Sequence, residues 1–395
     1  MNLRPWIAAL VPAALAASLL LITCEGVQFM TGADEGVYLH YAAQVAKEGP
    51  RQGFPNLSRI YLKEPRLVKF PPPHRLTVVG ADAAAVRLFG ESYRSLQIVS
   101  MAAFLFLLIA FFFGLRGLFD PPTAFWASLL LAVSPLQLGL ARRALSDSLS
   151  GGLAVLCLLV LIRFLTSGKR SAWHWLGLAL LYAVAFLAKE ASVLLVPISL
   201  VLAVAHGFRS REKVSPLALA CVSVIPVLLA VAAAALVCGG YGVVKEMFLA
   251  NFNSVPGNAY AQEYGGGPWY RYLIDYLLLS PFPTILYLLW VGFLIAGGEK
   301  EEAWWYWALV PLLFLPLSAL ITKNVRYALV MDAPMRLAAV GMLQRLTGWR
   351  RRPVLWMALM VAVLMLVDVF TFCDFFVTGH LYDPVTANLL KLRGL

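Results

Sequence analysis

Charge is scarce in this sequence. Of 395 residues only 13% are charged, while 61% are hydrophobic. Soluble domains carry about a quarter charged and about half apolar residues, so water is excluded as the main solvent of the folded chain. Cysteine is also sparse: Cys24, Cys157, Cys221, Cys238 and Cys373 are scattered without a CxxC pair. That pattern indicates neither a zinc knuckle nor a dense disulfide framework. The five histidines show no HExxH or other close ligand spacing. No strand, glycine-rich turn and helix follow one another as in a nucleotide-binding unit, because Gly265 to Gly267 leads into Pro268 and the aromatic pair Trp269 and Tyr270. No internal repeat is visible. The net charge of +11 does not point to nucleic acid, since the basic residues sit in the gaps between hydrophobic blocks and form no single stripe.

Long apolar blocks dominate what is present. They fall near residues 6 to 23, 94 to 113, 122 to 140, 148 to 165, 173 to 188, 190 to 206, 216 to 237, 273 to 296, 303 to 321, 326 to 344 and 353 to 372. Blocks of about twenty residues match the hydrocarbon thickness that an α-helix must cross. The expected fold class is therefore all-α, a polytopic transmembrane helical bundle of about eleven helices. The first block follows Arg4 and resembles a signal peptide; with hydrophobic segments throughout the chain it reads as a retained signal anchor. The expected organisation is a transmembrane module over residues 1–372, with outer loops at 24–93 and 238–272, and a short outer tail at 373–395.

Short basic loops orient the bundle. Lys169 and Arg170, then Arg209, Arg211 and Lys213, then Arg345, Arg350, Arg351 and Arg352 fall on one side, which the positive-inside rule makes cytoplasmic. The expected location is a cell (inner) membrane with the N-terminus inside. The loop before the second helix then faces outward, although it carries nine basic residues between Lys47 and Arg94. The outward turns add Arg142, Arg143, Lys189, Lys323 and Arg326. Cations there need another reason, and an anionic ligand at the outer surface is the most economical one. Within the first outer loop, residues 34 to 48 and 76 to 89 each carry an apolar stripe at helical spacing, and both read as helices lying in the interface.

Several outward residues could carry chemistry. Asp34 and Glu35 open the first interfacial helix. Asp34 reads either as the partner of Thr31 in a capping box or as a general base or metal ligand at the lipid boundary. The stretch from Lys63 to Arg75 concentrates Lys63, Arg66, Lys69, His74 and Arg75 in a proline-stiffened turn. It suits anionic lipid headgroups or a bound phosphate. Asp147 begins a helix just after Arg142 and Arg143, and reads either as a helix-start residue or as a second functional carboxylate. Lys189-Glu190 and Arg326-Tyr327 put further ionisable groups at outer helix ends.

These residues resemble the GT-C superfamily of membrane glycosyltransferases, in the branch similar to dolichyl-phosphate-mannose protein mannosyltransferases and the lipid A aminoarabinose transferase. The resemblance rests on Ala33-Asp34-Glu35, the triple-proline stretch running into Leu88-Phe89-Gly90-Glu91, Ser134-Pro135 with Ala144-Leu145-Ser146-Asp147, Ala188-Lys189-Glu190, and Lys323 with Arg326-Tyr327. It implies transfer of a sugar from a polyprenyl-phosphate carrier to a lipid, glycan or protein acceptor at the outer face. Asp34 inherits the role of catalytic base or metal-site residue, with a divalent metal ion as candidate cofactor. Lys63, Lys69, Arg75, Lys189 and Arg326 are candidates for the carrier phosphate. Asp147 would orient the acceptor or a metal, and Glu35, Glu190 and Tyr327 are further candidates. The runner-up from another class is a transporter or flippase of a lipid-linked anion, which should show two matching halves and charges near the bilayer midplane.

Overall fold

The computed structural model describes residues 4–30, 33–167, 171–210, 214–258, 267–321 and 323–381. Thr31, Lys169, Arg170, Arg211, Lys213, Gly265 and Gly266 lie outside the described residues, as does the tail beyond Leu381. The described chain is helical with no strand. In order the helices are α1 (Pro5–Ile22), α2 (Ala33–Glu48), α3 (Pro50–Lys63), α4 (Leu76–Phe89), α5 (Tyr93–Leu115) and α6 (Pro121–Ala132). There follow α7 (Pro135–Ala141), α8 (Asp147–Thr166), α9 (Ala172–Phe186), α10 (Leu195–Ser210), α11 (Pro216–Val222) and α12 (Val224–Cys238). The last are α13 (Tyr241–Ser254), α14 (Arg271–Leu279), α15 (Pro281–Ile295), α16 (Glu302–Leu317), α17 (Leu329–Thr347) and α18 (Pro353–Phe372).

Six helices among the described residues are long and apolar enough to span a bilayer, and eight spans result if the bent pairs α6–α7 and α11–α12 each count as one. The expectation of about eleven is thus not matched by length and apolarity alone. The reasons are local. The block at 122 to 140 bends by 57° where Ser134 caps a new helix and Pro135 begins it, because proline suits a first turn but cannot continue an earlier ladder. The block at 273 to 296 breaks at Ser280-Pro281. The helix of 326 to 344 starts at Leu329 and carries Asp332, Arg336 and Arg345. Lipid-facing positions stay apolar and exposed, as at Leu236, Leu366 and Phe370.

The helices expected over residues 34 to 48 and 76 to 89 are present as α2 and α4. Gly49 sits at φ +79, a conformation that costs glycine little. It turns the chain directly into α3, which Pro50 begins. Helices α2 to α4 enclose a second core of their own, around Tyr38, Tyr41, Phe54, Tyr61 and Val79, closed on one side by Ala234 and Met247.

Charge is not confined to one end of the bundle. Arg336 is fully buried on α17, with Nε 2.8 Å from Asp332 and Nη1 bonded to Asp368 of α18. Ser134 donates to the other Asp332 oxygen and Arg336 Nη2 reaches Ser280 Oγ at 3.0 Å. This network ties α17 and α18 to both helix breaks. A buried arginine persists only with such paired and hydrogen-bonded partners.

Candidate functional site

The start of α8 is the centre of the site. Asp147 is 1% exposed; its Oδ1 accepts a bond from Lys189 Nζ, and its Oδ2 lies 3.6 Å from Arg326 Nη1. Arg326 Nη2 stands 3.7 Å from Asp34 Oδ2, so one guanidinium bridges two carboxylates from separate elements. At these distances the contacts are ion pairs without hydrogen-bond geometry. Asp34 is the accessible partner, with its side chain 34% exposed. The Lys189 ammonium also lies 4.2 Å from the centre of the Tyr327 ring, a cation–π distance. Gly151 makes this convergence possible. A Cβ there would come within 2.9 Å of Leu329 Cβ, so only glycine lets the start of α17 close on α8.

A second group adjoins the first. Glu190 accepts from Arg75 Nε at 3.0 Å and Nη2 at 2.6 Å, and from His74 Nε2 at 3.1 Å. Arg75 Nη1 donates to the Tyr38 hydroxyl, which donates in turn to Ser146 Oγ at 3.1 Å. Burial by itself disfavours charge on Arg75, but Glu190 and Tyr38 more than offset it and hold the guanidinium further toward its charged form. Burial pushes the Tyr38 phenol far above its ordinary range, so it stays a neutral donor.

Seven of the expected residues therefore meet: Asp34, Asp147, Arg75, Lys189, Glu190, Arg326 and Tyr327. Others do not join them. Glu35 is 1% exposed and holds Arg143 through both carboxylate oxygens, a clamp between α2 and the turn before α8. Arg142 donates to the Thr23 and Phe376 carbonyls and pairs with Glu25. The two arginines expected to meet Asp147 around a ligand are thus engaged within the protein. Lys323 Nζ donates to the Ser318 carbonyl at 2.6 Å. Lys63 and Lys69 are exposed and form no ion pair among the described residues. Tyr38 and Ser146 were not singled out from sequence. The available signal was position, since Tyr38 lies one helical turn after Asp34 on the same face and Ser146 precedes Asp147.

A narrow cleft leads away from this cluster. Lys189, Arg326 and Tyr327 line it together with Ser150, Ser192 and the apolar Leu194, Leu195, Ile198, Phe314, Leu329 and Val330. Asp34 and Asp147 are separated by the Arg326 guanidinium they share, and no three His, Cys, Asp or Glu residues gather suitably among the described residues.

Comparison with known proteins agrees with this architecture. A family model of dolichyl-phosphate-mannose-protein mannosyltransferases matches residues 82–235. No curated protein matches in direct sequence comparison. Among solved structures, the chain is similar to the Archaeoglobus fulgidus oligosaccharyltransferase AglB in complex with an inhibitory peptide and a dolichol-phosphate, with a TM-score of 0.60 at 12% identity over 98% of this chain and 56% of that one. It is also similar to ArnT from Cupriavidus metallidurans bound to undecaprenyl phosphate, with a TM-score of 0.55 at 14% identity over 98% of this chain and 78% of that one. A further structure of the archaeal enzyme is a complex with Zn and sulfate. The chain spans little more than half the length of the oligosaccharyltransferase structures. The chain thus shares its fold with these two membrane enzymes of known structure.

Proposed function

We propose that this chain is a glycosyltransferase that takes a sugar from a polyprenyl-phosphate carrier and passes it to an acceptor at the outer face of the membrane. The observation that carries the reading is the presence of Lys189 and Arg326 in the wall of a largely apolar cleft, with the accessible Asp34 carboxylate beside Arg326. A lipid phosphate has the matching chemistry: an anion for the two cations and an isoprenoid chain for the apolar walls. The cleft is tight, about 40 Å³, so an isoprenoid chain enters it only as the surrounding helices separate.

In the reaction, Asp34 takes the proton of the acceptor hydroxyl or amine as that atom bonds to the anomeric carbon. The bond from the anomeric carbon to the phosphate oxygen breaks, and the electron pair leaves with the polyprenyl phosphate. Arg326 and Lys189 receive the charge that develops on this leaving group. Asp147 is too enclosed to act as a second base; it holds Lys189 and Arg326 in place. Glu190 does the same for Arg75. Protein reconstituted in lipid should consume a polyprenyl-phosphate sugar and release polyprenyl phosphate, and charge reversal at Arg326 should raise donor KM or lower kcat. Turnover of a nucleotide sugar in the absence of any lipid carrier would show the donor assignment to be wrong. Movement of intact lipid-linked sugar across the bilayer without cleavage would favour the flippase reading.

A further inference from the structure

A cavity of about 350 Å³ lies between α3 and the turn that joins α12 to α13. We propose that it binds the phosphate of an anionic phospholipid from the leaflet that meets the end of α12. This inference stands apart from the transferase reading.

The α3 wall is cationic. Arg59 and Lys63 line the cavity with Pro55 and Leu62 of the same helix, facing Cys238, Gly239 and Val243. No carboxylate lines it among the described residues. Both cations are exposed. Lys63 has no ion-pair partner among the described residues, and Arg59 makes one long bond there, from Nη1 to Asn56 Oδ1 at 3.4 Å. The last turn of a helix favours a cation, but two cations four residues apart repel each other. With no carboxylate between them, an anion from outside the chain reconciles the pair. Gly239 keeps the cavity open on the facing side. It sits at φ +101, and a Cβ there would meet Pro55 Cβ at 3.8 Å and bridge the two walls.

The depth fits a lipid headgroup. Helix α12 completes one of the bent spans, and Leu236 in its last turn is 86% exposed, so hydrocarbon reaches to within a turn of the cavity. Just beyond, Tyr241, Phe248 and Phe252 of α13 are exposed, and the two phenylalanine rings stack. Exposed aromatic rings at the end of a span mark the membrane interface. An anionic phospholipid meets all of these features together. Its phosphodiester takes the Arg59 fork and the Lys63 point charge, and its glycerol and first acyl carbons lie against Pro55, Leu62, Cys238 and Val243. Lys63 thus serves a phosphate other than that of the sugar carrier.

The test uses the full chain in maltoside micelles with equal amounts of phosphatidylglycerol and phosphatidylethanolamine, read by native mass spectrometry. Both lipids carry the phosphate, but the ethanolamine ammonium neutralises its own. Wild type should retain phosphatidylglycerol about tenfold better. The double variant Arg59→Gln, Lys63→Gln should lose that preference. Val243→Phe, which fills the cavity without changing charge, should lower retention by a similar factor. The double variant Arg351→Gln, Arg352→Gln removes as much charge from exposed residues outside the cavity and should keep the preference. Thermal unfolding without added lipid checks each fold, and the Arg59 and Lys63 changes fall on exposed side chains that the core does not need. No preference in wild type, a preference that survives in either cavity variant, or an equal loss in the Arg351 and Arg352 variant would overturn the proposal.

Discussion

Asp34→Asn separates chemistry from structure more cleanly than any other change at the site. The substitution keeps shape and removes basicity. Asp34 is about a third exposed, and its one ion pair among the described residues is long, 3.7 Å to Arg326. A partly exposed pair of that kind contributes about 0.2 to 1 kcal/mol. Asn also serves as well as Asp near a helix start, so insertion and thermal unfolding should be close to wild type. A positioned general base contributes roughly 10²- to 10⁴-fold, so release of polyprenyl phosphate should fall by about that factor. Asp147→Asn supplies the contrast. It leaves Lys189 and Arg326, both largely buried, without their shared counter-charge, a loss of about 3 to 5 kcal/mol. That variant should lose activity and thermal stability together. The assay is carrier release in proteoliposomes beside thermal unfolding of the same preparation. Near-normal turnover in Asp34→Asn would refute the base assignment and return this residue to a structural role.

Two further outcomes are expected. In intact cells, Gln52→Cys should react with a membrane-impermeant thiol reagent and Ser210→Cys should not, given the asymmetry of the short basic loops; reversed labelling would put the site on the inner face. Asp82 on α4 is 5% exposed with no partner among the described residues, and burial raises its carboxyl well above the ordinary range. The folded state therefore binds this proton more tightly than the unfolded one. The resulting penalty is absent below the unfolded pKa and grows as pH rises toward the folded value. Asp82→Asn should accordingly raise the unfolding temperature at neutral pH, by an increment that shrinks on acidification; a constant difference across pH would contradict the assignment.

Local chemistry made much of this protein legible in one dimension. Apolar block length marked the membrane helices, because a bilayer demands internal satisfaction of every backbone group over a fixed thickness. Helical spacing marked α2 and α4, and the cost of charge near lipid marked Asp34, Asp147, Lys189 and Arg326 as residues needing a reason. What spacing could not convey was pairing. Arg142, Arg143 and Arg326 look alike along the chain, yet Arg143 clamps Glu35 and Arg142 ties down the Thr23 and Phe376 carbonyls, while Arg326 bridges Asp34 and Asp147. Asp332, Arg336 and Asp368 lie far apart or within apolar blocks, and the fold joins them across α17 and α18. Partners 32 to 234 residues apart are selected by helix packing, through such close approaches as Gly151 against Leu329. Solvent, helices and the inventory of charged groups follow from local pattern; which charges neutralise one another and which line a cleft follows from packing, because that depends on distances no local pattern encodes.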